Sequence, residues 1–143
     1  AELPQEGGSI EVWGDGLQTR SFLLVDECVE ATYRLMQSDF MGPVNIGSEE
    51  MVTINELVDI AAKVANKKVE KVHIDGPLGV RGRNSDNTLI REKLGWDYSL
   101  TLEEGIRKTY KWIDWQILKE VYTPVSPSKE WVNVDDHGNL VGY

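Results

Sequence analysis

Two tetrapeptides, Thr53-Ile54-Asn55-Glu56 and Thr101-Leu102-Glu103-Glu104, constrain this chain most. Each reads as a capping box. The threonine hydroxyl accepts from the backbone N–H three residues on, and the glutamate reaches back to the threonine N–H. Each box therefore pins the start of a helix to one residue. Behind Thr101, Leu102, Ile106, Tyr110, Ile113 and Ile117 recur at spacings of three or four, which predicts an amphipathic helix to about Lys119. Behind Thr53, Leu57, Ile60, Ala61 and Val64 make a second stripe, ending near Asn66. Lys67 and Lys68 there suit the negative end of the helix dipole.

The other elements are shorter. Ile10–Trp13 alternates as a strand should, and Lys71–Ile74 reads the same way. Ser21–Val25, apolar from Phe22, predicts a strand, as does Val44–Gly47. Asp26 offers an N-cap carboxylate for a helix to about Gln37, with Val29, Tyr33 and Met36 on one face. Ser85, Asp86 or Asn87 can cap a helix through Leu94, stopped by Gly95, with Trp96 packing back onto it. The expectation is an α/β or α+β domain, a small mixed sheet with about four helices, without a complete doubly wound unit. Residues 1–121 form this domain. Residues 122–143 form a tail in which Trp131–Val134 and Leu140-Val141 flank a turn, either a hairpin or a loose segment.

The 143 residues amount to one domain, able to bury roughly two-thirds of its unfolded surface. With 24 acidic and 15 basic residues the net charge is −9, which argues against DNA or RNA as a main partner. It does not argue against a single nucleotide, because local arginines dominate at contact distance. No apolar run approaches the roughly 20 residues that span a bilayer, so no membrane partner is expected. The first residues are not a signal peptide, and the single cysteine, Cys28, suits a reducing compartment; a cytoplasmic protein is the expectation. No Cys/His/Asp cluster has the spacing of a metal site. Cys28, beside the apolar Val29, reads as a buried structural residue rather than a nucleophile.

The chemistry-bearing stretches are two glycine-containing loops that deliver arginine. One is Gly14-Asp15-Gly16-Leu17-Gln18-Thr19-Arg20, the other Val80-Arg81-Gly82-Arg83-Asn84-Ser85-Asp86. Glycine allows a tight backbone and close ligand approach, and the guanidinium fork matches a phosphate bidentately. Two such loops on an acidic domain suggest a clamp for a diphosphate through Arg20 and Arg83. Arg81 has three open readings: the ligand, Asp86, or a neighbouring domain. Asn45 and Ser48 read as backbone turn devices. The tryptophans read mostly as core or docking residues, with Trp13 able to border a ligand.

These words, with Val25-Asp26-Glu27-Cys28-Val29-Glu30, Pro43-Val44-Asn45-Ile46-Gly47-Ser48, Gly79-Val80-Arg81-Gly82-Arg83-Asn84-Ser85-Asp86-Asn87 and Glu92-Lys93-Leu94-Gly95-Trp96, occur in one order between about Ile10 and Ile117. In that order and spacing the chain resembles the C-terminal, substrate-binding part of extended short-chain dehydrogenases/reductases that act on nucleotide sugars. The Gln-Thr-Arg and Gly-Val-Arg-Gly-Arg-Asn-Ser-Asp versions resemble the GDP-mannose 3,5-epimerases in particular. The resemblance implies an extended Rossmann-type enzyme that uses NAD to oxidise C4 of the sugar transiently and epimerises C3 and C5. It implies GDP-mannose as substrate and a homodimeric parent. It also implies that Gln18, Thr19, Arg20 and Arg83 bind the substrate, with Arg20 and Arg83 on the diphosphate, Gln18 on the nucleotide or phosphate side, and Thr19 contributing backbone.

The chain has no G-x-G-x-x-G or G-x-x-G-x-x-G loop and no Tyr-x-x-x-Lys pair. The family's NAD-binding domain would then lie before Ala1, and this chain alone, with no catalytic residue assigned, would be inactive. Two other readings stay open. One is a related nucleotide-sugar dehydratase or decarboxylase. The other is a stand-alone, non-catalytic nucleotide-sugar binding module.

Overall fold

A computed structural model describes residues 1–77 and 79–122. The expected hairpin or loose tail at 122–143 lies outside them, apart from the last helical residue. The chain runs β1 (Gly8–Trp13), β2 (Thr19–Ser21), α1 (Val25–Met36), β3 (Met51–Thr53), α2 (Ile54–Ala65), β4 (Val69–Ile74), β5 (Gly82–Arg83), α3 (Thr88–Leu94) and α4 (Leu102–Tyr122). The small mixed sheet of the sequence reading is divided in two. β1 and β4 pair in parallel from Gly8↔Val69 to Trp13↔Ile74. β2 is the centre of the other sheet, antiparallel to β3 and parallel to β5.

Both capping boxes form. Thr53 Oγ1 accepts from Glu56 N at 3.1 Å, and Glu56 Oε2 accepts from Thr53 N at 2.7 Å. Thr101 and Glu104 repeat the pattern at 3.4 and 2.8 Å. α2 ends at Asn66, whose left-handed backbone (φ 53°) lets Lys67 N reach Ala62 O at 3.0 Å. Its stripe faces α4, and Lys63 bridges to Glu103 at 2.6 Å. α3 stops at Gly95 with φ 59°, and Trp96, 3% exposed, packs back with Ile90 and Ala31 to form the core. Leu23, Val44, Ile46, Leu94 and Tyr98 close around that cluster.

Three sequence expectations change. The second strand is Thr19–Ser21, not Ser21–Val25. Phe22, Leu23 and Leu24 leave the sheet and line an apolar groove of about 440 Å³ with Leu57, Ile106 and Ile113. Continuous apolarity there marks residues turned into helix packing, which periodicity cannot tell from a buried strand. Val44–Gly47 is not a strand. Its polar groups bond to the loop before α3: Asn45 Nδ2 donates to Asp86 O at 3.3 Å, and Gly47 O accepts from Asn87 Nδ2 at 2.8 Å. The N-cap of α1 is Leu24, without a side-chain cap, and Asp26 sits inside the first turn. There its carboxylate still faces the positive end of the helix dipole.

Two buried or half-buried acids hold the elements together. Glu27, 8% exposed, accepts on one oxygen from Ser99 N (2.5 Å), Ser99 Oγ (2.9 Å) and Leu100 N (3.1 Å), tying α1 to the turn before α4. Glu49 takes both terminal nitrogens of Arg91, whose Nε reaches Asp97 at 2.8 Å.

Candidate functional site

The first arginine loop is fixed from two sides. Gly14 and Gly16 have φ of 70° and 67°, a region an L side chain occupies only with strain. Gly14 N donates to Ile74 O at 2.8 Å, joining the turn to β4. Asn55, in the first turn of α2, closes the other side. Its backbone N donates to Gly16 O (3.1 Å), its Nδ2 to Asp15 O (3.0 Å), and its Oδ1 lies 3.0 Å from His73 Nε2. A Cβ on Gly16 would sit 2.3 Å from Asn55 Oδ1, so glycine is needed here for space as well as for φ. Asn55 was missed in the sequence. The signal available was its place in the capping box, one residue before Glu56.

From this turn the chain enters β2. Ile54 N donates to Gln18 O at 3.2 Å and Thr19 N to Arg81 O at 2.8 Å. Thr19 thus acts through its backbone; its carbonyl also accepts from Arg20 Nη1 at 2.6 Å. The Thr19 hydroxyl lies against Gly82, where a Cβ would come within 2.8 Å of it. The second loop supplies β5, and the ladder pairs Arg20 directly with Arg83. Paired residues of neighbouring strands project from the same face, roughly 4.8 Å apart. The two arginines sought in separate loops therefore stand side by side.

Like charges in that position repel, so the arrangement favours an anion between them. The chain has six arginines. Arg34 pairs with Glu30, Arg91 with Glu49 and Asp97, and Arg107 with Glu103. Arg20, Arg81 and Arg83 pair with no carboxylate among the described residues. Of the six arginines, the three without a carboxylate partner among the described residues are the three around one sheet edge. Arg81 does not bond Asp86, whose carboxylate accepts from Thr88 N at 3.0 Å. Instead Arg81 lines a small pocket with Asp15, Gln18 and Gly79. Gln18 donates through Nε2 to Trp13 O at 3.2 Å.

Other candidates resolve as structure. Ser48 Oγ accepts from Glu50 N at 3.1 Å, and Asn45 bonds Asp86 O. Cys28 is half-buried in α1 rather than fully buried. Trp96 alone of the tryptophans at 13, 96, 112 and 115 is buried; Trp13 is 56% exposed beside the site. Among the described residues no helix is entered through a glycine-rich turn. α1, α2 and α3 start from Leu24, Thr53 and Asn87, and α4 from the Thr101 box. None offers the glycine-lined helix N-terminus that holds a dinucleotide pyrophosphate, so these residues do not fit NAD.

Residues 5–109 match the family model described as GDP-mannose 4,6 dehydratase. The GDP-mannose 3,5-epimerase of Arabidopsis thaliana is 60% identical over 110 residues, which are 77% of this chain and 29% of that protein. Among solved structures, the UDP-glucose 4-epimerase of Thermotoga maritima with UDP-glucose superposes with a TM-score of 0.72 at 29% identity, covering 76% of this chain and 36% of that one. MoeE5 in complex with UDP-glucuronic acid and NAD superposes at 0.69 with 26% identity, covering 76% and 37%. The chain thus spans under a third of that relative's length and little over a third of each of these two structures. With the paired arginines, the glycine turn and these matches together, the chain belongs to the GDP-mannose 4,6 dehydratase family, within the nucleotide-sugar epimerases and dehydratases of the extended short-chain dehydrogenases/reductases.

Proposed function

We propose that this chain is the substrate-binding part of an NAD-dependent nucleotide-sugar epimerase that acts on GDP-mannose at C3 and C5. The observation that carries the reading is the Arg20–Arg83 pair, adjacent on one face of the β2–β5 ladder and free of carboxylate partners among the described residues. The kinship with a GDP-mannose 3,5-epimerase supports the substrate, and MoeE5 supports NAD as cofactor. The cofactor is held outside these residues. This chain's part is to grip the two phosphates and so fix the position of the sugar. Anchoring a remote, non-reacting group orients the reacting carbon without taking part in the chemistry.

Each charge-assisted contact to phosphate contributes about 1.5–3 kcal/mol. In the intact protein, Arg20→Ala and Arg83→Ala should each weaken GDP-mannose binding about tenfold to a hundredfold by calorimetry. Arg34→Ala, on the outer face of α1, should leave it unchanged. Wild-type affinity in both site variants would sink the clamp. Turnover of GDP-mannose against UDP-glucuronic acid and a dTDP-sugar separates the epimerase from a decarboxylase or dehydratase. Binding without turnover of any of them would point to a non-catalytic module.

A further inference from the structure

The end of β4 holds the first arginine loop twice. Ile74 O accepts from Gly14 N at 2.8 Å. One residue earlier, His73 Nε2 lies 3.0 Å from Asn55 Oδ1, and Asn55 in turn donates to Asp15 O and Gly16 O. The backbone of β4 thus grips the turn at Gly14. A side chain of β4 grips it again, through α2, at Asp15 and Gly16. His73 is exposed, so packing does not call for a ring at this position.

The acceptors fix where the protons are. Asp15 O is a carbonyl and can only accept, so the Asn55 atom facing it at 3.0 Å is the amide nitrogen. The atom left to His73 is the amide oxygen, which also only accepts. His73 must therefore donate, and it carries a proton on Nε2. A ring protonated on Nδ1 alone would set two lone pairs against each other. The Asn55 amide would then be free to turn over, and its hold on Asp15 O would be lost.

A second pair runs alongside. Lys71, two residues before His73, pairs with Asp59, four residues after Asn55. Two residues of strand span roughly 6.6 Å and four residues of helix roughly 6 Å, so the two strand side chains meet the two helix side chains in step. The pairs differ in what lies beyond them. Asp59 bonds neither arginine loop among the described residues. Asn55 leads to Asp15 and Gly16, and from there the chain runs through Gln18 and Thr19 to Arg20.

We propose that His73 is a positioning residue for nucleotide binding. Through Asn55 it holds the turn that delivers Arg20 to its place beside Arg83. This inference rests on the diphosphate reading, but its test can fail separately.

The test uses three variants of the intact protein. His73→Phe keeps a ring and loses the donor. His73→Gln keeps a nitrogen as many bonds from the backbone as Nε2. His73→Asn falls one bond short. Two quantities are read: hydrogen exchange of the Asn55 N–H that bonds Gly16 O, and GDP affinity by calorimetry. His73→Phe and His73→Asn should each speed that exchange and weaken GDP binding about threefold to tenfold, the value of one neutral hydrogen bond. His73→Gln should return both to the wild-type values, which a merely structural loss would not allow. Lys71→Met, which removes the neighbouring pair, should lower the melting temperature and leave GDP affinity unchanged. With Asn55→Ala already in place, His73→Phe should change GDP affinity no further, because the route is gone. Thermal melts of each variant confirm that it is folded. Unchanged GDP affinity in His73→Phe, a loss that His73→Gln does not repair, or a full loss on the Asn55→Ala background overturns the role of His73 and leaves the diphosphate site standing. A wild-type protein that binds no GDP overturns the diphosphate reading itself, and with it any role of His73 in binding.

Discussion

At the scale of single residues, the first arginine loop depends on one glycine that has no room for a side chain. Gly16 combines a left-handed φ with a neighbour, Asn55 Oδ1, 2.3 Å from where a Cβ would go. Gly95 has almost the same φ, 59°, but nothing within 4 Å of that point. Gly95→Ala should therefore cost only the backbone term of about 1–2 kcal/mol. Gly16→Ala should cost more, and should also weaken nucleotide binding, because displacing Asn55 releases the Gly16 and Asp15 carbonyls. Equal losses for the two in urea denaturation would show that Asn55 yields freely. Asn87 is the other sensitive position. It is fully buried, donates to Gly47 O and accepts from Ser85 Oγ at 2.6 Å. Asn87→Ala leaves both partners without it and should destabilise by about 1–3 kcal/mol, read from the denaturation midpoint. In the sequence Asn87 read as one of three candidate caps. It stands at the N-cap of α3 but makes no side-chain cap bond, and only the approach of the 44–48 segment gives its amide a partner there.

At the scale of elements, the two capping boxes are chemically alike but differently placed. Thr101 starts a helix whose first residue, Leu102, donates to Glu50 Oε2 at 2.8 Å and to neither arginine loop. Thr53 ends β3 and starts α2, next to Ile54, whose N–H holds Gln18 O. Each Thr→Ala change should cost about 1 kcal/mol. Only Thr53→Ala should also weaken nucleotide binding, because the frayed turn carries Ile54 and Asn55. Calorimetry on both variants checks this, and equal binding would mean that the loop is held by its glycines alone. The helices and both box-defined starts were legible because capping is local in sequence. The strand ends were less so. β2 is three residues long because it pairs only where β3 and β5 reach it, and both partners are distant in sequence.

At the scale of the whole molecule, charged contacts hold α3 to the segments around it. Glu49 is kept below the ordinary carboxylate range first by its hydrogen bond from Arg91 and then by the Asn87 N–H. Asp97 is lowered chiefly by its hydrogen bond from Arg91. A carboxyl with a depressed folded pKa stabilises the fold at pH values above the ordinary carboxylate range. That stabilisation fades as pH falls through the depressed value. Arg91→Met should thus lower the melting temperature at pH 7. The gap from wild type should shrink as pH falls below about 4, where the carboxylates become protonated. A gap constant from pH 7 to pH 3 would assign the role of Arg91 to its aliphatic stem.

By itself the sequence determined the starts of α2 and α4, the breaks at Asn66 and Gly95, the glycine turns and the residue types of the two arginine loops. All of these rest on interactions within a few residues. It also showed which side chains share a face of α1, but not whether that face is covered. Val25, Val29, Tyr33 and Met36 are all more than 60% exposed among the described residues. Tertiary structure alone decided that Arg20 and Arg83, 63 positions apart, become ladder partners. It also decided that Arg81 turns from Asp86 to the Gln18 pocket, and that Phe22–Leu24 fills helix packing rather than a sheet. Register between distant strands is set by the packing that buries their faces, and no window of local sequence contains it.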